Sequence, residues 1–173
     1  MRLGKRWWLV LAAALVLSLA AAAGCSGKPA GESPAGQAEK PQAPAEPIKI
    51  GVPTPLSPPA DYKAGQINVN TVKLAIEHLN EKGGVLGRTF EPVVGDDEGN
   101  ASKGVSLVQK MITEDKVVAL VGAWHGSVAL AQSKVAAEAG VPILLHYSWP
   151  DEITAMHSDY VFRVSPYNSE IAQ

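Results

Sequence analysis

Cysteine is almost absent from this chain: Cys25 stands alone among 173 residues, which excludes an internal disulfide framework and any cysteine-rich metal centre. Charge of one sign is also scarce. Fifteen Lys and Arg against 17 Asp and Glu leave a formal net charge of −2, with no basic stripe to hold nucleic acid. The four histidines (His78, His125, His146, His157) fall outside HExxH or CxxC-type spacing. His125 and His146 can meet above a sheet, but the spacing gives no grounds to expect a metal site. No G-x-G-x-x-G follows the first strand-like run and no Walker loop occurs, so no nucleotide or other cofactor is expected. A G-x-S-x-G elbow is missing, and a hydrolytic pair of His125 and Ser127 would have to share one tight turn. Asp96 and Asp97 have no proton-transfer partner in view and read as solvated turn residues before a helix starting at Asn100. Together these absences point away from an enzyme.

What is present begins with an address. Met1–Arg6 holds Arg2, Lys5 and Arg6, and Trp7–Ala23 is apolar except for Ser18, the pattern of a secretory signal. The run is at the short edge of what spans a bilayer. Cys25 follows Ala22-Ala23-Gly24, which resembles a bacterial lipoprotein signal, cut before a cysteine whose thiol carries a diacylglycerol. Ala22 departs from that pattern, which more often has Leu there. Residues 1–24 are thus expected to be a lipoprotein signal peptide; plain cleavage and a retained anchor helix are the other readings. A two-chain lipid would give durable membrane attachment where one acyl chain holds only marginally. Ser26–Pro47 has no aliphatic residue larger than Ala, so residues 25–47 are expected to be the lipidated cysteine and a disordered Pro/Ala-rich spacer.

From Ile48 the pattern alternates. Ile48–Pro53, Thr89–Gly95, Val117–Gly122, Val141–Leu145 and Tyr160–Val164 read as strands, the third as buried on both faces. Between them, Ile67–Lys82, Ala101–Thr113 and Ser127–Ala139 show helical spacing, each closed by a stop signal. Such alternation predicts an α/β fold with a doubly wound parallel sheet. Ligands then sit beyond the carboxyl ends of the strands, and with order 2-1-3-4-5 the loops to watch are Thr54–Gly65, Ala123–Ser127 and His146–Pro150.

Two of these loops concentrate polar and aromatic groups. In Gly122–Ser127 the amides of a helix start favour an anion, Gly126 admits close approach, and the Ser127 hydroxyl can donate to a carboxylate; alternatively Ser127 only caps the helix. In Tyr147-Ser148-Trp149-Pro150, Pro150 holds Trp149 extended so that its ring and carbonyl can project into a cleft. There the bland readings are a capping box from Ser148 with Asp151 and rings that merely cover the core.

Several stretches taken in order carry a family likeness: IKIGVPTPLSPPADY, LNEKGGVLGR, VVGDDEGNASKGVSLVQKMI, VVALVGAWHGSVALA, VPILLHYSWPDEIT and YVFRVSP. From Ile48 to Gln173 the chain resembles the N-terminal part of the leucine/isoleucine/valine-binding family, substrate-binding proteins of ABC transporters with the type I periplasmic-binding-protein fold. The resemblance implies an exported, extracytoplasmic protein with ABC permease subunits as partners and an amino acid or related small polar ligand. It implies a ligand carboxylate on the turn at Gly126 and Ser127, an amino group held by Ser148 and Trp149, and Tyr62 lining the cleft. Trp124-His125-Gly126 and Tyr147-Ser148-Trp149 stand where branched-chain binders usually carry a Ser-rich turn and a Gly/Ala/Thr-type loop, so an aromatic, amide or cationic ligand also fits. Family members close two lobes and are more than twice as long. Residues 48–173 are therefore expected to be one lobe of a truncated chain, binding ligand weakly or not at all alone. The alternative role for this fold is a ligand-sensing ectodomain of a receptor.

Overall fold

The structure is a computed structural model and describes residues 46–172. The expected signal peptide, Cys25 and nearly all of the spacer lie outside the described residues.

Strands β1 (Ile48–Thr54), β2 (Phe90–Asp96), β3 (Ala119–Gly122), β4 (Ile143–Leu145) and β5 (Val161–Arg163) form one five-stranded parallel sheet in the order β2-β1-β3-β4-β5. The crossovers are α1 (Tyr62–Glu81), α2 (Ala101–Thr113) and α3 (Gly126–Glu138), with the single turns α4 (Glu152–Ala155) before β5 and α5 (Asn168–Ile171) after it. This is the doubly wound α/β architecture that the alternation predicts, reversing direction between β1 and β3.

Local chemistry explains the element ends. Asn100 caps α2, its Oδ1 accepting from the Lys103 amide at 3.0 Å, and Val108 and Met111 seat that helix in the core. α1 begins at Tyr62, more than a turn before the expected Ile67. Asp61 is the reason: its Oδ1 accepts from the Ala64 amide at 3.3 Å, so the stretch after Pro58-Pro59 winds into helix instead of continuing as loop.

The two faces of the sheet are covered unequally. Against α2 and α3, Leu120, Ile143 and Leu145 are fully buried with Val108, Met111 and Ala129. On the other face α1 covers β1 and β2 through Val69, Val72 and Ile76. There a row of side chains in register, Val94, Val52, Val121, Leu144 and Phe162, crosses all five strands. Exposure along it climbs from 0% at Val52 to 38% at Leu144 and 51% at Phe162. The expectation that the third strand is buried on both faces therefore fails: Val121 is only half-buried and Val118 is exposed, because α1 does not reach across β3–β5. An apolar groove of about 360 Å³, lined by Val72, Ile76, Leu79, Leu144 and His146 among others, runs along this boundary.

Candidate functional site

At the carboxyl rim, the β3–α3 turn passes through Ala123 with φ +63°, a left-handed conformation that disfavours any residue with a Cβ. Two bonds hold it there: the Ala123 amide donates to the Pro53 carbonyl at 3.2 Å, and the Ser148 hydroxyl donates to the Ala123 carbonyl at 3.1 Å. Strain held this firmly is a feature of ligand clamps. The turn delivers Gly126 as the first residue of α3.

His125 occupies the N-cap position without a side-chain cap bond, and Ser127 lies inside the helix, so Ser127 does not serve as the cap. The leading amides of α3 have no carbonyl partner within the helix, which leaves a positive end. Ser148 forms no capping box either. It is 1% exposed and committed to Ala123, while its own carbonyl accepts from the Ser165 hydroxyl at 2.9 Å.

Three rings converge above this turn. Trp124 and Tyr147 stack with centroids 3.9 Å apart and planes 5° from parallel, and Trp149 meets Tyr147 at 5.2 Å and 50°. With Gly126, Ser148, Pro150 and Asn168 they line a cavity of about 260 Å³. Five of the sequence-predicted site residues (Trp124, Gly126, Tyr147, Ser148, Trp149) thus come together. Tyr62, His125 and Ser127 lie outside that lining. Tyr62 opens α1 and is half-exposed; the His125 ring turns the other way, toward Gly99.

Arg163 is the residue that sequence reasoning missed. From β5 its Nη1 donates to the carbonyls of Trp149 at 3.1 Å and Pro150 at 2.9 Å, and its Nη2 donates to the Thr154 hydroxyl at 3.1 Å. Its guanidinium also lies 3.8 Å from the centre of the Tyr167 ring. The Trp149 carbonyl accepts from the Asn168 amide as well, at 3.0 Å, so Trp149 offers its ring to the cavity while its carbonyl is fully engaged. One cation inside the otherwise apolar YVFRV strand was the available signal.

The acidic pair corrects another expectation. Asp97 is fully buried rather than solvated, accepting from the Gly99 amide at 2.8 Å and from the Gln132 side-chain amide at 3.2 Å. Burial pushes its carboxyl above the ordinary value, opposed by those bonds and by nearby His125. For Asp96 burial acts in the same direction, but bonds from Ser57, Leu56 and Glu98 prevail and hold its carboxyl below the ordinary value. His146 is shifted down by burial, against the pull of the Gly122 backbone, and lines the apolar groove, far in orientation from a metal-ligand pair with His125.

A raised carboxyl binds its proton more tightly folded than unfolded, so stability is highest below the unfolded value and falls as pH rises through the folded one. Asp97→Asn removes that dependence, and Gln132, whose Oε1 has no partner among the described residues, can turn its amide to accept instead. The melting temperature of Asp97→Asn should gain on the parent between pH 4 and pH 7.5; thermal melts giving a constant difference across that range would contradict it.

A reversal between β1 and β3, a helix start at the sheet rim and a cavity beside it are the arrangement at which doubly wound sheets generally take a ligand. The chain belongs to the periplasmic binding protein family, whose profile matches residues 47–173. It is 33% identical over 126 residues to Leu/Ile/Val-binding protein homolog 7 of Brucella abortus (strain 2308), covering 73% of this chain and 31% of that one. It superposes, with TM-score 0.67 and 28% identity, on the branched-chain amino acid transporter substrate binding protein of Streptococcus pneumoniae in complex with isoleucine, covering 71% of this chain and 35% of that one. A solute binding protein of an ABC transporter from Rhodopseudomonas palustris BisB5, in complex with 3,4-dihydroxy benzoic acid, matches with TM-score 0.62 and 28% identity over 69% of this chain and 32% of that one. The chain spans about a third of the length of these relatives.

Proposed function

We propose that this chain supplies the first lobe of an exported substrate-binding protein that carries a small carboxylate, an amino acid or a related molecule, to the permease of an ABC importer. The observation that carries the reading is the walled cavity beside the α3 start. Isoleucine and 3,4-dihydroxy benzoic acid, held by two of the relatives, share a carboxylate, the group that unpaired helix-start amides attract. Tyr62 and Ser127, outside the cavity lining, stand on the same lobe as candidates for further ligand contacts. Selection then rests on hydrogen bonds and hinge closure, with no bond made or broken.

Calorimetry on the full-length protein is expected to show saturable binding of at least one amino acid or small carboxylate at micromolar concentration or below. Silence across a panel of both classes would sink the proposal.

Attachment is proposed to run through a lipid on Cys25, holding the lobe at the outer face of the membrane on the Ser26–Pro47 spacer. Cys25→Ser should move the protein from the membrane fraction to the soluble extracytoplasmic fraction. A variant that stayed with the membrane would point to the retained helix instead.

A further inference from the structure

We propose that the cavity selects a carboxylate bearing a flat aromatic ring over an aliphatic one; this rests on the reading of the cavity as the ligand site. Trp124 and Tyr147 stack face to face at 3.9 Å, so each spends one face on the other, and Trp149, tilted 50° to Tyr147, turns a corner onto the pair. A planar ring in the cavity meets aromatic side chains at three of its seven lining residues, where it can take the offset-stacked or edge-on contact that aromatic pairs favour. A branched aliphatic chain gains contact there but neither geometry.

The corner is fixed from behind. Ser148 is bonded to Ala123, Trp149 and Pro150 carbonyls are held by Arg163, and Asn168 closes the side. The cavity of about 260 Å³ has room for one such ring beside Gly126, with the carboxylate at the α3 amides. No lysine, arginine, aspartate or glutamate lines it, so the ring wall is what distinguishes one carboxylate from another on this lobe.

Two sources offer this chemistry, an aromatic amino acid and an arylcarboxylate lacking the amine. The test is calorimetry on the full-length protein with two matched pairs: phenylalanine against leucine, and 4-hydroxybenzoate against cyclohexanecarboxylate. In at least one pair the ring-bearing member should bind about tenfold tighter, the scale of a favourable aromatic pair beyond its buried area. Which pair shows the preference identifies the source. Trp149→Leu should shrink that preference to about twofold or less, the ring-bearing member losing more affinity than its aliphatic partner, and Trp149→Phe should retain it. The second variant separates loss of the ring from a failure to fold. Leucine or cyclohexanecarboxylate binding as tightly as its ring counterpart in both pairs would overturn the inference while leaving the transport reading intact. If none of the four binds but another amino acid does, the ring preference is likewise overturned; if no solute binds, both readings fall.

Discussion

Gly65→Ala is expected to lower stability by about 3 kcal/mol, the upper end of what overpacking costs. Gly65 lies in the first turn of α1, where an added Cβ would sit 1.6 Å from the Pro55 carbonyl oxygen and 2.7 Å from its carbon. Both are backbone atoms next to the end of β1, so no side chain can swing aside. Either α1 lifts from the sheet, exposing Val69 and Val72, or β1 shifts in its pairing with β2 and β3. Against a domain stability of about 5–15 kcal/mol the loss is large, corresponding to a fall of roughly 10 °C in melting temperature. Gly87→Ala is the natural control. Nothing lies within 4 Å of a Cβ there, and only its φ of +73° resists, at about 1–2 kcal/mol. Circular dichroism melts of the chain lacking its first 24 residues check both; equal melting temperatures for parent and Gly65→Ala would refute the argument.

Gly126→Val is expected to weaken ligand binding by the full-length protein about tenfold or more, the effect on affinity of the roughly 1–3 kcal/mol that overpacking typically costs. Even a single Cβ at this position would meet Pro150 Cγ at 2.6 Å and Cδ at 2.9 Å. The pyrrolidine ring cannot rotate away, and its carbonyl is held by Arg163, so the His146–Pro150 loop must move as a unit and carry Trp149 with it. The isopropyl group would also stand where a carboxylate approaches the α3 amides. Calorimetry would detect the change directly. Affinity unaltered by this substitution would place the ligand elsewhere on the lobe.

Much of this architecture was legible in the sequence because local pattern determines it. Asn100 announced the start of α2, and apolar runs separated by helical spacing gave five strands close to their observed bounds. The order β2-β1-β3-β4-β5 is one of those that right-handed crossovers on a parallel sheet allow, and only the fold selects it. What stayed hidden depends on partners distant in the chain. Asp97 looks like a turn residue until Gln132, thirty-five positions on, is brought against it. Arg163 reads as a surface cation on a strand until the Trp149 and Pro150 carbonyls arrive beside it. The early start of α1 was readable in principle, since Asp61 precedes it as an N-cap, but the prolines at 58 and 59 argue locally for loop. Of the site, the sequence pointed to both loops; only the fold could separate residues that share the cavity from Tyr62, His125 and Ser127 beside it.

Arg163 has a consequence for how an encounter with solute would unfold in time. Because it secures two successive carbonyls at Trp149 and Pro150, the main chain of this loop is ordered when the polypeptide folds and need not be ordered again when a guest arrives. Ordering a loop on association adds to the cost of binding, and a ligand taken at this rim would be spared that part of it through preorganisation. Residence time is where the benefit should be felt, since affinity differences among related complexes arise mainly in dissociation.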